Sequence, residues 1–273
     1  MAESVIKPPG RLHLGLSEVL HFKELFFFFV WRDVKVKYKQ TVLGLAWAIL
    51  QPVLMTVMFT FLFASKFGSE SGELPYTLYV FSGFIIWNLF AAGITGASGS
   101  ILSNASIIRK IYFPRLIIPF SAILVALFDF TMTLLPFVVL LIYHQIHFQV
   151  INMIVLMLAS VVITLITAIG TGTFLSALTV KYRDFRYVIP FAVQALMFAT
   201  PVFYSAEMIK GYWYELFSVL NPIIPAIEIF RSGFTSHPIA ITTIIVPLTV
   251  SVIYMVGGVI FFKKVEYQFA DIA

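Results

Sequence analysis

The chain has 273 residues, of which 60% are hydrophobic and 11% charged, whereas a soluble domain carries about 25% charged residues. This composition excludes a protein whose main solvent is water, and because each membrane-spanning helix takes about 20 apolar residues, several crossings leave little chain for a globular catalytic domain. The formal net charge of +5 would suit nucleic-acid binding, but membrane proteins also gather Lys and Arg in their cytoplasmic loops.

Residues 17–41 are expected to form an amphipathic helix on the cytoplasmic surface. At 100° per residue, several polar side chains fall within an arc of about 120°. These are Glu18, His21, Glu24, Arg32, Lys35 and Lys39. The apolar side would then face lipid or the rest of the protein. A plain membrane anchor fits the same periodicity equally well.

Six apolar stretches predict membrane-spanning helices. They are residues 43–64, 76–99, 117–142, 150–178, 188–204 and 238–262. The segments assigned to one side of these spans hold 15 of the 18 Lys and Arg. They are residues 1–42, 100–116, 179–187 and 263–273. This asymmetry predicts that both ends lie in the cytoplasm, and it explains the positive charge without a nucleic-acid partner.

Asp129 is the only charged residue within the predicted spans. A carboxylate in hydrocarbon is costly and usually functional, so Asp129 is a candidate for proton or cation coupling. No predicted span supplies a basic partner for it. The alternative, which the sequence favours, is a neutral carboxyl group bonded to Thr133 one turn further on.

An aromatic face is predicted on the second span. Tyr76, Tyr79, Trp87 and Phe90 fall within an arc of about 80°, and Gly83 shares that arc. Aromatic faces give broad, sequence-tolerant contact area, so this face could line a path for a ligand. The alternative is that the two tyrosines belong to the interfacial belt and the other two side chains pack against neighbouring helices.

Two short cytoplasmic segments carry clusters of charge. RKIYFPR (109–115) is basic and aromatic, with Ser106 as a possible helix start and Pro114 as a stop. Such a segment could dock into a cleft of another protein. KYRDFR (181–186) joins the fourth and fifth spans. Each segment could also simply mark the inner face of the membrane.

Residues 205–237 are predicted to form two short helices on the outer side, divided by Asn221 and Pro222. The first mixes Trp213 and Tyr214 with charged residues, as is typical of the headgroup layer. The second places Glu228 and Arg231 three residues apart, where they could form a local ion pair. An interfacial loop and a gate over an exit path are equally compatible with this pattern.

The sequence contains no G-x-x-x-x-G-K-[ST] phosphate loop, no H-E-x-x-H, no G-x-S-x-G and no acidic cluster suited to a divalent metal. We therefore predict no catalytic, cofactor-binding or metal site in this chain. Any ATP hydrolysis would require a partner.

Several motifs occur in a characteristic order along nearly the whole chain. They are RDVKVKYKQTVLGLAWAILQP (32–52), RKIYFPR (109–115), KYRDFRYVIPF (181–191), MFATPVFY (197–204), NP (221–222) and IEIFR (227–231). This arrangement resembles the permease subunits of bacterial type-2 ABC exporters for O-antigen, teichoic acid and related capsular polymers.

The resemblance implies a single transmembrane permease domain over 1–273, with six spans, in the bacterial inner membrane. It implies a homodimer whose separate ATPase subunits bind ATP and Mg and contact the helix at 17–41 and a coupling helix at 104–113. It also implies gate helices at 205–237 that close the periplasmic side, and an aromatic channel for a lipid-linked polysaccharide.

The residues expected to act fall into four groups. They are Arg109, Lys110 and Tyr112 at the ATPase contact; Arg32, Lys35, Lys37 and Lys39 at the lipid diphosphate; Tyr76, Tyr79, Trp87 and Phe90 along the channel; and Trp213, Tyr214, Glu228 and Arg231 in the gate. An ion-coupled secondary carrier should show inverted repeats and charged midplane helices, for which only Asp129 qualifies. A membrane transferase should show paired carboxylates or a metal motif, and neither is apparent.

Overall fold

The computed structural model describes residues 21–39, 44–68, 72–208, 212–235, 239–266 and 269, without the side chains of Glu207, Tyr212 and Trp213. Within these ranges the regular secondary structure is entirely helical. The helices are α1 (Lys23–Lys39), α2 (Ala46–Phe67), α3 (Tyr76–Ser103), α4 (Ala105–Ile108), α5 (Ile117–Tyr143), α6 (Val150–Lys181), α7 (Phe185–Ala199), α8 (Tyr212–Leu220), α9 (Ile223–Ser232) and α10 (Thr242–Val265). Residues 17–20, 40 and 41 of the predicted interface helix lie outside the described part of the chain.

Five of the described helices are long and apolar enough to cross a membrane. They are α2, α3, α5, α6 and α10, and they correspond to five of the predicted spans with boundary shifts of a few residues. The stretch predicted as a span at 188–204 differs. It forms α7, whose 15 residues extend about 22 Å, short of the roughly 30 Å hydrocarbon core.

Pro201 explains the early end of α7. A residue that precedes proline is driven out of the helical region by a steric clash, and Thr200 has φ −102° and ψ 132°. The chain then turns inward, and Val202 and Phe203 are buried. Apolar composition therefore continues beyond the point where the helix stops.

Helix α3 lies at the centre of the fold and packs against α5, α6 and α9, while α10 packs along the other side of α6. Small residues permit these close approaches. A Cβ on Gly172 would lie 2.9 Å from the Cβ of Ala97, and one on Gly258 would lie 2.0 Å from the carbonyl oxygen of Gly170. Gly172 thus serves a contact between α6 and α3 within the subunit.

Helix α1 runs alongside α5. The ring of Phe29 lies 5.6 Å from that of Phe113, just before α5 begins, and Lys37 and Tyr38 reach Asp129, about three turns into α5. Phe29 and Phe113 belong to a second hydrophobic cluster, which also contains Phe262 and Phe269. Helix α1, the 109–115 segment, the end of α10 and Phe269 are therefore packed together.

Candidate functional site

A cleft lies between α1, α2, α3 and α5. It consists of two adjoining cavities, one of about 330 Å³ on the α2 side and one of about 600 Å³ toward the end of α3. Lys37, Ala92, Ala126 and Asp129 line both cavities. The small side chains of Ala92 and Ala126 leave space in the cleft, and Lys37 and Asp129 lie where the two cavities meet.

Asp129 is held by α1. The Lys37 ammonium donates to one carboxylate oxygen and the Tyr38 hydroxyl to the other. The suggested bond between Asp129 and Thr133 is wrong, because the Thr133 hydroxyl donates to the carbonyl of Phe130 at 2.8 Å. Burial raises the pKa of the Tyr38 hydroxyl, and its bond to Asp129 raises it further. Sequence reasoning missed this pairing because the basic partner comes from outside the spans.

The lower part of the cleft is joined to the end of α3. Arg32 donates to the carboxylate of Asp33 at 2.6 Å and to the amide oxygen of Asn104 at 2.7 Å. Asn104 in turn donates to the carbonyl of Ser100 at 2.9 Å. These bonds tie α1 to the segment that begins the predicted coupling helix.

The four cations predicted at a lipid diphosphate differ in their surroundings. Arg32 and Lys37 are bonded within the protein. Lys35 is exposed, with its ammonium 4.8 Å from the centroid of the Trp31 ring, and Lys39 is exposed at the end of α1. The prediction thus concerns two cations already engaged in the cleft and two at the surface.

The four aromatic residues of α3 lie inside the packed subunit. The hydroxyl of Tyr76 donates to the carbonyl of Phe203 at 2.9 Å, and that of Tyr79 to the carbonyl of Tyr204 at 3.0 Å. Trp87 and Phe90 are only 3% and 4% exposed. In this conformation the burial favours the packing alternative over an open channel wall.

Arg231 is the most heavily bonded cation of the described chain. The residue is 6% exposed, and its guanidinium lies 3.6 Å from the centroid of the Tyr79 ring. It donates to the carbonyls of Val202, Pro201 and Tyr79 at 2.6, 3.1 and 3.1 Å and to the hydroxyl of Ser82 at 3.3 Å. Burial lowers its pKa, which Tyr79 and Glu228 oppose.

This contact depends on Gly83. A Cβ at Gly83 would lie 2.4 Å from the carbonyl oxygen of Val202 and 2.7 Å from a guanidinium nitrogen of Arg231. The predicted gate residues Arg231 and Glu228 thus take part in different contacts. Arg231 holds the segment after α7 against α3, while Glu228 accepts a hydrogen bond from Tyr214. The side chain of Trp213 lies outside the described residues.

The predicted coupling helix at 104–113 is shorter than expected. Helix α4 covers only Ala105–Ile108, and the chain continues as a turn in which Arg109 and Lys110 are exposed. Tyr112 is 89% exposed, whereas the next residue, Phe113, is buried against α1. An exposed basic and aromatic patch is therefore fixed to the fold through its neighbour.

Comparison with known proteins assigns the family. The sequence profile described as ABC-2 type transporter matches residues 24–235. The chain belongs to this family of transporter membrane proteins. It is accordingly a multi-pass permease of the bacterial inner membrane, and membership implies association with an ABC ATPase.

Related proteins match the permease over most of their length. The O-antigen export system permease protein RfbA of Klebsiella pneumoniae is 27% identical over 246 residues, which cover 88% of this chain and 92% of the relative. The protein of the same name from Myxococcus xanthus is 24% identical over 266 residues, covering 94% and 98%. The alignment therefore spans the cleft and the Arg231 contact.

The aromatic face of the permease can be tested directly. Replacing both Trp87 and Phe90 by Leu should leave surface polymer, normalised to permease in the membrane, near the wild-type level if these side chains only pack. If they contact sugar, the two losses should add, and surface polymer should fall below the level of either single variant. The control is Phe61→Leu/Phe191→Leu, which changes two exposed aromatic side chains.

Proposed function

We propose that this permease is the membrane-spanning subunit of an ATP-driven exporter that moves a lipid-linked polysaccharide of O-antigen type from the cytoplasm to the periplasm. The observation that carries the proposal is the match to O-antigen export permeases over 88% or more of the chain, joined to family membership. Teichoic acid or capsular polymer is the alternative cargo for the same mechanism.

The proposed topology has six crossings and both ends in the cytoplasm. It is supported by five helices of spanning length and by the concentration of Lys and Arg on one side of the spans. In this arrangement α7 rises from the cytoplasmic side, and α8 and α9 close the periplasmic side. Arg231 would then fix the end of the short crossing to α3 through its bonds to Pro201 and Val202.

The proposed ATPase contact is the exposed patch of Arg109, Lys110 and Tyr112. Its support is its exposure and its attachment: Phe113 packs on α1, while Arg115 donates to the backbone of Glu266. A movement of the ATPase against this patch would therefore displace α1 and α10 together. ATP and Mg would be bound by the ATPase subunit, and two copies of the permease would form the translocation path.

Reversing the patch charge tests this contact. The Arg109→Glu/Lys110→Glu variant should lose at least half of the ATPase that co-purifies with wild type, because two favourable charge pairs across the interface become repulsive. Membrane insertion should be unchanged. The matched control is Arg183→Glu/Arg186→Glu, another exposed pair on the proposed cytoplasmic side, which should retain the ATPase. Wild-type co-purification by the first variant would contradict the proposed contact.

The cations of α1 are proposed to attract the lipid diphosphate of the cargo at the inner headgroup level. Each Lys or Arg near a membrane surface contributes about 1 kcal/mol to attraction of anionic groups. The exposure of Lys35 and Lys39 supports this proposal. Generic attraction to anionic lipid would use the same residues, so neutralising them should impair export more than insertion only if the cargo is bound.

A further inference from the structure

We propose that the carboxylate of Asp129 is an internal substitute for a phosphate group: it holds Lys37 and Tyr38 and keeps the end of α1 closed over the cleft until a phosphate takes its place. The inference deepens the proposed function and rests on it for the identity of the phosphate as part of a polyprenyl diphosphate. The same chemistry is offered by the headgroups of anionic bilayer lipids.

The chemistry of the three side chains suits such an exchange. Asp129 presents two oxygens, and each accepts a hydrogen bond from a different donor. A phosphate also presents adjacent acceptor oxygens with negative charge, and Lys is a common phosphate ligand. The ammonium and hydroxyl groups can therefore turn from one anion to the other without losing their bonds.

Exchange is favoured over simple opening. In hydrocarbon surroundings a charged residue without a partner is costly, and exchange spares Lys37 this cost because the phosphate pairs with its ammonium. Asp129 loses its cation, but it lines both cavities and would face their merged volume. The side chain of Asp129 is 18% exposed and that of Lys37 is 45% exposed. Lys37 is thus reachable from the cleft while it is still bonded to Asp129.

Release of Lys37 and Tyr38 from Asp129 would weaken one of two attachments of α1 to the rest of the protein. Helix α1 is held at one level by Phe29 and Arg32, which contact Phe113 and Asn104, and at a second level by Lys37 and Tyr38. Loss of the bonds to Asp129 weakens the second attachment, at which the Tyr38 ring also lies 6.1 Å from that of Phe128, and makes the first attachment a pivot. The two cavities that meet at Asp129 would then merge beneath the loosened end of α1.

A single reporter cysteine can measure this opening, because the chain contains no cysteine. Ala92→Cys places the thiol where both cavities are lined. Full-length permease in phosphatidylcholine nanodiscs should react slowly with a maleimide. Adding Asp129→Asn should raise the rate about tenfold, since the amide keeps the shape but loses the ionic attraction. Tyr38→Phe, which removes one bond, should raise it less.

Two further variants separate pairing from damage to the fold. Exchanging the charges, Lys37→Asp/Asp129→Lys, should bring labelling back toward the slow rate. Lys23→Gln removes an exposed cation at the other end of α1 and should have no effect. Equal labelling of Asp129→Asn, Tyr38→Phe and wild type would overturn the proposal, as would charge exchange that labels as fast as Asp129→Asn.

The anion is tested in matched nanodiscs. With Ala92→Cys alone, polyprenyl diphosphate or phosphatidylglycerol at equal added charge should accelerate labelling toward the Asp129→Asn rate and leave that variant's rate unchanged. Acceleration by the diphosphate alone identifies the cargo lipid, and acceleration by both identifies phosphate headgroups with net negative charge in general. Acceleration by neither overturns the exchange. The assay uses no ATPase, ATP or polymer, so it can fail while export stands.

Discussion

Replacing Arg231 by methionine is expected to remove most of the folded permease from the membrane. Methionine fills similar space but donates no hydrogen bond, so the carbonyls of Pro201 and Val202 lose their partner. Each buried polar group left unsatisfied costs about 1 to 3 kcal/mol, and folded domains are stable by only about 5 to 15 kcal/mol. The measurement is the melting temperature and yield of detergent-purified protein.

Two comparisons sharpen this prediction. Arg231→Lys keeps the charge but lacks the planar fork that reaches several acceptors at once, so its stability should fall between wild type and methionine. Arg186→Met makes the same chemical change at an exposed position and should cost little. If Arg231→Met has the same melting temperature as wild type, the segment after α7 does not need this attachment.

Replacing Gly258 by alanine is expected to separate α10 from α6. The added Cβ would lie 2.0 Å from the carbonyl oxygen of Gly170, and because that atom is backbone, no side-chain rotation relieves the clash. Overpacking of this kind costs about 1 to 3 kcal/mol or more. Thermal unfolding of the purified variant should occur at a clearly lower temperature than in wild type.

The neighbouring glycine supplies the control for this substitution. A Cβ at Gly257 would meet no atom within 4 Å, and alanine is favoured over glycine inside a helix by about 1 kcal/mol. Gly257→Ala should therefore be neutral or stabilising, opposite in sign to its neighbour. Equal effects of the two substitutions would refute the close packing of α10 on α6.

The long helices could be predicted from the sequence because hydrophobicity is a local property. The end of α7 could not be placed from hydropathy, since MFATPVFY stays apolar through Thr200 and Pro201 while the backbone stops being helical. The proline itself was a usable signal, because it restricts the residue before it. The short α4 likewise departs from the predicted helix at 104–113.

The contacts of charged side chains depend on tertiary packing. Asp129 is paired with residues 91 and 92 positions earlier in the chain, and no periodicity within α5 reveals them. For Arg231 the spacing to Glu228 suggested a neighbour on the same helix. The guanidinium instead donates hydrogen bonds to a carbonyl in the segment after α7 and to a carbonyl within α3. Periodicity found the face of Tyr76 and Tyr79 but not whether it meets sugar or protein.

The most direct test of the proposed export function uses inside-out membrane vesicles that contain the lipid-linked polymer. Transport would carry the polymer into the lumen, where an added glycan-degrading enzyme cannot reach it. We predict that protection requires ATP, the ATPase and this permease together. Equal protection in vesicles that lack the permease, or none in vesicles whose complete transporter hydrolyses ATP, would contradict the proposed function.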